Sequence, residues 1–115
     1  MGPAEALAEL AELSSQVEEA ALLGESGFVL ASTGTPERGE ELARVASELL
    51  AAAVEVRPEG PPVARVEVAL ERGSVVVVCE GGRTAVATTV PEPTVGLVVY
   101  DLRTALRRLD DGSGR

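Results

Sequence analysis

Residues 20–32 place two short apolar runs on either side of a four-residue turn, and this arrangement limits the possible folds most strongly. The runs are residues 20–23 and 28–31, and residues 24–27 between them contain two glycines and a serine. Two apolar segments separated by such a turn are typical of a β-hairpin. Because helical patterns precede and follow it, the chain must combine helices with antiparallel strands.

The segments flanking this hairpin have the periodicity of amphipathic helices. Apolar residues at helical spacing predict a first helix over residues 3–19. After the hairpin, Thr35 is suited to the N-cap and Pro36 to the first helical position, and the helix is predicted to run to about Val54. The same periodicity predicts a final helix over residues 94–109.

Three more strands are predicted between the second and third helices. Residues 55–62 contain three prolines and a glycine and form a connector. Residues 63–70 alternate between apolar and polar, which indicates a strand with one wet face. Residues 75–79 are continuously apolar, as in a strand covered on both faces, and residues 84–90 form the last strand.

The predicted order is therefore helix, two strands, helix, three strands, helix. One five-stranded, mostly antiparallel sheet with helices on its faces accounts for this order, so the fold class is α+β. A chain of 115 residues forms a single domain, residues 1–115, with its core in about residues 4–109. Residues 110–115 are predicted to be a flexible tail.

The charge balance disfavours nucleic acids and membranes as partners. The chain carries 19 acidic and 10 basic residues, a net charge of −9, with no basic stripe that could displace counterions from phosphates. It has no apolar run of the roughly 20 residues needed to span a bilayer, and no pattern of a secretory signal. The single cysteine excludes an internal disulfide, so we expect a cytoplasmic protein.

The residue types needed for most catalysis are missing. Histidine and lysine are absent, which removes the commonest general base and metal ligand and the lysine of a P-loop. Cys79 lies in the most apolar predicted strand, where a thiol usually acts as a small hydrophobic group. We therefore expect a protein that is not an enzyme, with no catalytic residues, no metal site and no cofactor.

The middle helix carries a second uncharged stripe beside its core stripe. Small residues let another helix approach closely, so this stripe predicts packing against a second copy of the same helix. Alanine also favours helices through propensity alone, and that interpretation remains open. The residues of the stripe are Ala43, Ser47, Leu50, Ala51 and Val54.

The strand at residues 63–70 supports the same interpretation. Its alternating pattern indicates an edge strand, and an unpaired edge invites pairing with another chain. Two-fold antiparallel pairing centred near Val66 would place Arg65 opposite Glu67 of the second copy, twice. The predicted dimer interface therefore adds Arg65, Val66 and Glu67 to the helical stripe.

Several passages together resemble the Roadblock/LC7 domain. Residues 17–23 resemble the beginning of the family's first strand, and residues 24–31 resemble its hairpin. The alanine-rich residues 42–54 resemble its middle helix. Residues 94–97, leading into residues 102–109, resemble its closing helix. The resemblance covers about residues 4–109. The loop at residues 32–35 is short and the connector at residues 57–62 is proline-rich, and both flank the middle helix.

The resemblance implies an architecture and a class of partner. It implies a five-stranded sheet with the middle helix on one face and the terminal helices on the other, and dimers joined through the middle helix and third strand. It also implies a platform for a Ras-like small GTPase across the paired middle helices. Bacterial members are often paired with such a GTPase. Some promote its GTP hydrolysis, some promote nucleotide exchange, and others only tether it.

Two functional hypotheses follow, together with a weaker third. In the first, the chain is a dimeric regulator or scaffold of a GTPase, and the partner-contacting residues are Arg38, Glu41, Arg44 and Glu48. In the second, it is a purely structural dimeric adaptor with no effect on nucleotide state. Arg38 or Arg44 could act as an arginine finger, although an i,i+4 ion pair with a glutamate is the simpler role. The dimer could pair identical chains or a paralogue. A small-molecule sensor would need a cavity with polar anchors.

Overall fold

The computed structural model describes residues 1–109 and contains three helices and five strands. The order of elements is the predicted one, whereas the predicted tail at residues 110–115 lies outside the described residues. In chain order the elements are α1 (Pro3–Leu13), β1 (Val17–Leu23), β2 (Val29–Ser32), α2 (Pro36–Val56), β3 (Arg65–Leu70), β4 (Gly73–Glu80), β5 (Arg83–Thr89) and α3 (Val95–Arg107).

The strands form one antiparallel sheet in the order β2-β1-β5-β4-β3. Every neighbouring pair is antiparallel, and three of the four pairs are consecutive hairpins. The fourth pair, β1 with β5, brings the first hairpin beside the meander formed by β3, β4 and β5. This order leaves β2 and β3 at the two edges of the sheet.

Helices cover both faces of the sheet, as predicted. Alternate side chains of one strand point to opposite faces, so β1 sends Ala20 and Leu22 towards α1 and α3 and Ala21 and Leu23 towards α2. β4 divides its valines in the same way, with Val77 on the α2 side. The structure therefore has two cores, and it is an α+β fold with the middle helix alone on one face.

Glycines permit two of the turns. Gly81 and Gly82 have φ values of 60° and 81° between the paired residues Glu80 and Arg83, which is the backbone of a type I′ hairpin turn. Gly73 begins β4 with a φ of 133°. A side chain at Gly73 would overlap the carbonyl oxygen of Thr89 on β5, so only glycine fits this close approach.

The first helix is shorter than predicted. It ends at Leu13, Ser14 caps it, and Val17 already begins β1, where it pairs with Thr89 of β5. The predicted helix to residue 19 is therefore wrong. Val17 fits both helical spacing and strand alternation, and no glycine or proline marks the boundary. The sheet pairing decides it, and Leu13 is left 68% exposed.

Candidate partner-binding surface

The start of α2 is fixed to the sheet by its cap and by a close contact. The Thr35 side chain accepts a hydrogen bond from the backbone N–H of Arg38 at 3.1 Å, and Pro36 occupies the first turn, as predicted. A Cβ at Gly39 would lie 2.6 Å from the hydroxyl oxygen of Ser32. Glycine therefore lets the helix approach β2 closely enough for Leu42 and Ala46 to enter the core.

The second stripe of α2 lies mostly at the surface. Ser47, Ala51 and Val54 are exposed and Leu50 is half-buried, and their spacing places them on one side of the helix. Ala43 differs from them because it is only 8% exposed and packs in the core beneath α2. The structure therefore brings four of the five stripe residues together on one accessible surface, while Ala43 mainly supports the domain itself.

The edge strand β3 lies beside the C-terminal half of α2. Val66 packs partly against the core under α2, whereas Arg65 and Glu67 are exposed on the opposite face of the strand. Within the chain, Arg65 Nε lies 3.6 Å from Glu67 Oε2. The two charges predicted to pair across a dimer therefore already attract each other along the strand.

The open edge of β3 has a defined hydrogen-bonding pattern. The N–H of Cys79 donates to the carbonyl oxygen of Ala64, and the ladder continues with Val66 opposite Val77. In an antiparallel pair the bonded residues alternate, so Val66 points its backbone groups towards β4. Arg65 and Glu67 then direct theirs towards the open edge, where another strand could accept and donate.

Arg38 forms a clamp between α2 and the sheet that the sequence did not predict. Its Nε and one terminal nitrogen each lie 2.9 Å from the carboxylate of Glu19 on β1, and its other terminal nitrogen lies 3.0 Å from Glu41. Thr88 of β5 donates to the same Glu19 carboxylate at 3.1 Å. We call Glu19, Arg38 and Thr88 the Glu19 clamp.

The Glu19 clamp shifts the pKa values of its two charged members, Glu19 and Arg38. The hydrogen bonds from Arg38 lower the pKa of Glu19 below the usual glutamate value and outweigh the opposing effect of partial burial, and Thr88 contributes to the lowering. The hydrogen bonds to Glu19, followed by that to Glu41, raise the pKa of Arg38. Both clamp partners therefore stay charged at neutral pH.

The remaining predicted contact residues are more accessible. Arg44 lies 3.5 Å from Glu48 one turn later, the i,i+4 pair predicted for it, and both side chains are about two-thirds exposed. Glu41 is also exposed, although one of its oxygens accepts from Arg38. Of the four residues, Arg38 is held by the clamp, while Glu41, Arg44 and Glu48 lie on the outer face of α2.

A groove of about 740 Å³ lies where α2, the connector and β3 meet. We call it the α2–β3 groove. It is lined by Ala53, Val54 and Val56 of α2, by connector residues within 57–62, and by residues 63–65. Its lining is mostly aliphatic and proline-rich.

The described residues offer little for catalysis or metal binding. Within residues 1–109 no three histidine, cysteine, aspartate or glutamate side chains lie close enough together to hold a metal ion. Cys79 is half-buried, with its sulfur 3.9 Å from the hydroxyl of Thr84. None of the helices in this part of the chain is long and apolar enough to cross a bilayer.

The sheet order, with one helix on one face and two on the other, defines the α+β class to which Roadblock/LC7 domains belong. No protein-family model matches the sequence, and the search of curated proteins finds no match either. Solved structures do match. The chain aligns with a Roadblock/LC7 domain from Streptomyces avermitilis at a TM-score of 0.79 and 20% identity, covering 93% of each chain. It therefore has the Roadblock/LC7 fold, as the sequence predicted.

Two further structures show how widely this architecture is used. The gliding protein MglB from Thermus thermophilus aligns at a TM-score of 0.70 and 22% identity, over 91% of this chain and 86% of that chain. A chain of the LokiProfilin2 complex with rabbit actin aligns at 0.62 and 13%, over 90% and 92%. Because a gliding protein and a chain of an actin complex share this architecture, the fold alone does not define the partner.

Proposed function

We propose that this chain is a non-enzymatic, dimeric regulator or scaffold that binds a Ras-like small GTPase through its paired middle helices. The observation that carries the proposal is the unpaired edge of β3, which lies next to the exposed stripe of α2. An open strand and an adjoining surface of small and apolar residues are the two parts that a two-fold interface requires.

The geometry of the open edge supports a symmetric pairing of β3. Arg65 and Glu67 both direct their backbone groups outwards, so a second strand that places Glu67 opposite Arg65 aligns donors with acceptors. Val66 then lies opposite Val66 of the second copy across the two-fold axis, and the two form a non-hydrogen-bonded pair. The register that the charges favour is therefore also one that the backbone allows.

The partner surface in this proposal is the outer face of α2. Glu37, Glu40, Glu41 and Glu48 are exposed there, against the two arginines Arg38 and Arg44. This excess of negative charge favours a GTPase whose contact surface is basic, and it would accelerate their association at low salt. Pairing two copies of α2 would double the charge presented to one partner.

The Glu19 clamp weighs against a catalytic arginine. Arg38 would have to leave two carboxylates to reach a nucleotide. Among residues 1–109 Arg44 pairs only with the exposed Glu48, so it is the middle-helix arginine that could act as an arginine finger without breaking the clamp.

The test is binding of Ras-like small GTPases from the same genome, each loaded with GDP or with a non-hydrolysable GTP analogue. We expect one to bind the wild-type chain, and Glu48→Arg to weaken that binding about tenfold or more without changing the mass of the dimer. Glu12→Arg is the control, because it makes the same charge change on the exposed face of α1.

The outcomes separate the two functional hypotheses. GTPase binding with no effect on hydrolysis or exchange would leave a scaffold that tethers the GTPase. A dimer that retains no GTPase in either nucleotide state would favour the purely structural adaptor. Equal weakening by Glu48→Arg and Glu12→Arg would contradict α2 as the contact surface.

A further inference from the structure

A small cleft separates the turn of the first hairpin from α2. Its volume is about 230 Å³, and it is bounded by the end of β1, residues 24–27, the middle of α2 and the start of β5. We call it the hairpin–α2 cleft. It shares no lining residue with the α2–β3 groove, so it is a separate feature of the surface.

The cleft has an apolar floor and a polar rim. Leu23 and Ala46 are buried in the floor, and Leu50 is half-buried beside them. The rim consists of one carboxylate and three hydroxyl groups, which belong to Glu25, Ser26, Ser47 and Thr84. All four groups accept hydrogen bonds, and only the carboxylate is charged. The lining therefore favours a group that is apolar along its length and rich in donors at its end.

Glu25 brings its carboxylate against the turn of the last hairpin. A Cβ at Gly82 would lie 3.2 Å from Glu25 Oε2, so glycine leaves the space that the carboxylate occupies. Among residues 1–109 no arginine forms an ion pair with Glu25, and the chain contains no lysine or histidine. The Glu25 charge is therefore available to a cation of another molecule.

The size of the cleft favours a single side chain over a free small molecule. Small-molecule sites usually have volumes of about 300–1,000 Å³, above the 230 Å³ of this cleft. A second concavity, of about 460 Å³, also includes Thr84 in its lining, together with residues 62–64 and the β4–β5 turn. A polypeptide that inserts one side chain into the cleft therefore has room for its neighbouring residues.

Arginine meets these requirements best. Its aliphatic stem packs on apolar surface while its charged end reaches polar groups. The guanidinium has five N–H donors in a planar arrangement, and it can bind a carboxylate through two parallel hydrogen bonds. Lysine offers three donors on a compact, strongly hydrated ammonium, so it matches a rim of several acceptors less well.

The position of the cleft links it to the partner surface. Ser47 in the cleft directly precedes Glu48, which lies on the outer face of α2. A partner that contacts this outer face can therefore reach the cleft with a neighbouring side chain. Ala51 and Val54 of the exposed stripe do not line the cleft, so they remain available to a second copy.

We propose that the hairpin–α2 cleft is an anchor site for an arginine side chain of the protein that binds α2, with Glu25 as the carboxylate that receives it. The anchor site deepens the proposed function and rests on it, because the arginine belongs to the basic surface of that partner. The stem of the arginine packs on Leu23 and Leu50, and its guanidinium donates to Glu25 and to the rim hydroxyls.

The first experiment uses N-acetyl-L-arginine amide as the probe. Titrated into the ¹⁵N-labelled wild-type chain, it should produce saturable amide shifts in the millimolar range, centred on residues 24–27, Ser47 and Thr84. Glu25→Gln should raise the dissociation constant of the probe at least about fivefold, because charge-assisted hydrogen bonds become neutral ones. Glu71→Gln makes the same change in the exposed β3–β4 turn at the opposite end of the sheet, and it should leave the constant unchanged.

The second experiment tests the site in the complex. For a Ras-like GTPase that binds the wild-type chain, Glu25→Gln should raise the dissociation constant about tenfold, because an arginine that fills a pocket is a typical hot spot of an interface. Glu71→Gln should leave this constant unchanged, and neither variant should change the mass of the dimer.

Failure of the anchor site and failure of the proposed function give different results. A GTPase that binds Glu25→Gln as tightly as wild type would overturn the anchor site and leave binding through α2 intact. Absence of saturable shifts at residues 24–27, shifts that do not depend on Glu25, or equal binding of N-acetyl-L-lysine amide would also overturn it. An arginine amide that binds at the cleft while no GTPase binds would contradict the proposed function and support the cleft as an arginine site.

Discussion

A carboxylate that the sequence assigned to a helix is among the most connected side chains of the structure. Glu19 lies on β1, accepts two hydrogen bonds from Arg38 at the start of α2, and a third from Thr88 of β5. It therefore joins two strands and a helix through one charge. Because the Arg38 and Glu19 side chains remain 42% and 35% exposed, water weakens the contribution of the pair to stability.

The clamp predicts a measurable loss of stability when its carboxylate is neutralised. Glu19→Gln should reduce the free energy of unfolding by about 1 kcal/mol, because charge-assisted hydrogen bonds are replaced by weaker ones. Glu48→Gln, which removes an exposed i,i+4 pair, should cost less than about 0.5 kcal/mol. Urea denaturation at neutral pH measures the free energy of unfolding of both variants. Equal losses for Glu19→Gln and Glu48→Gln would contradict a stabilising role of the clamp.

The same clamp predicts a pH dependence of known sign. The folded-state pKa of Glu19 is lowered, so its stabilising effect is fully present above the unfolded-state pKa and is lost as the pH falls through the folded-state pKa. The difference in stability between wild type and Glu19→Gln should be constant near neutrality and shrink on acidification. A difference that grows in acid would have the wrong sign.

A backbone position supplies a second prediction at this scale. Gly73→Ala should destabilise the chain by about 2 kcal/mol or more, because the new Cβ overlaps the Thr89 carbonyl and φ is 133°. Gly96→Ala is the matched control, since its Cβ would meet open space near the start of α3. It should be neutral or slightly stabilising, and thermal unfolding distinguishes the two.

At the scale of elements, the strands and helices with clear local periodicity were predictable. The hairpin at β1 and β2, the capped start of α2 and the edge position of β3 all follow from short patterns. The end of α1 was not predictable, because Val17 satisfies both periods and the pairing with β5 decides between them. The Glu19 clamp was missed because its members are distant in sequence and are brought together only when α2 packs on the paired strands β1 and β5.

The edge strand carries the prediction that belongs to this scale. In the proposed register Arg65 faces Glu67 of the second copy, so Arg65→Glu or Glu67→Arg alone should weaken the dimer several-fold through like-charge contacts. The double exchange should restore most of the affinity. A double variant no stronger than the single variants would contradict the register, and light scattering over a dilution series measures all four proteins.

At the scale of the whole molecule, the fold limits the function without selecting the partner. The same architecture occurs in a Roadblock/LC7 domain, in MglB and in a chain of a LokiProfilin2–actin complex. On this fold the chain carries an acidic outer face of α2, an exposed stripe beside it, and an open β3 with an apolar groove. In the proposed function these features serve self-association first and the binding of a basic protein partner second.

Sedimentation equilibrium from low to high micromolar concentration tests the central claim most directly. We predict a mass approaching twice 11.8 kDa for the wild-type chain. Ala51→Arg, which places a charge in the exposed stripe of α2, should shift the mass towards that of the monomer, while Ala52→Arg on the neighbouring exposed position should not. A wild-type mass of 11.8 kDa at every concentration would contradict the account.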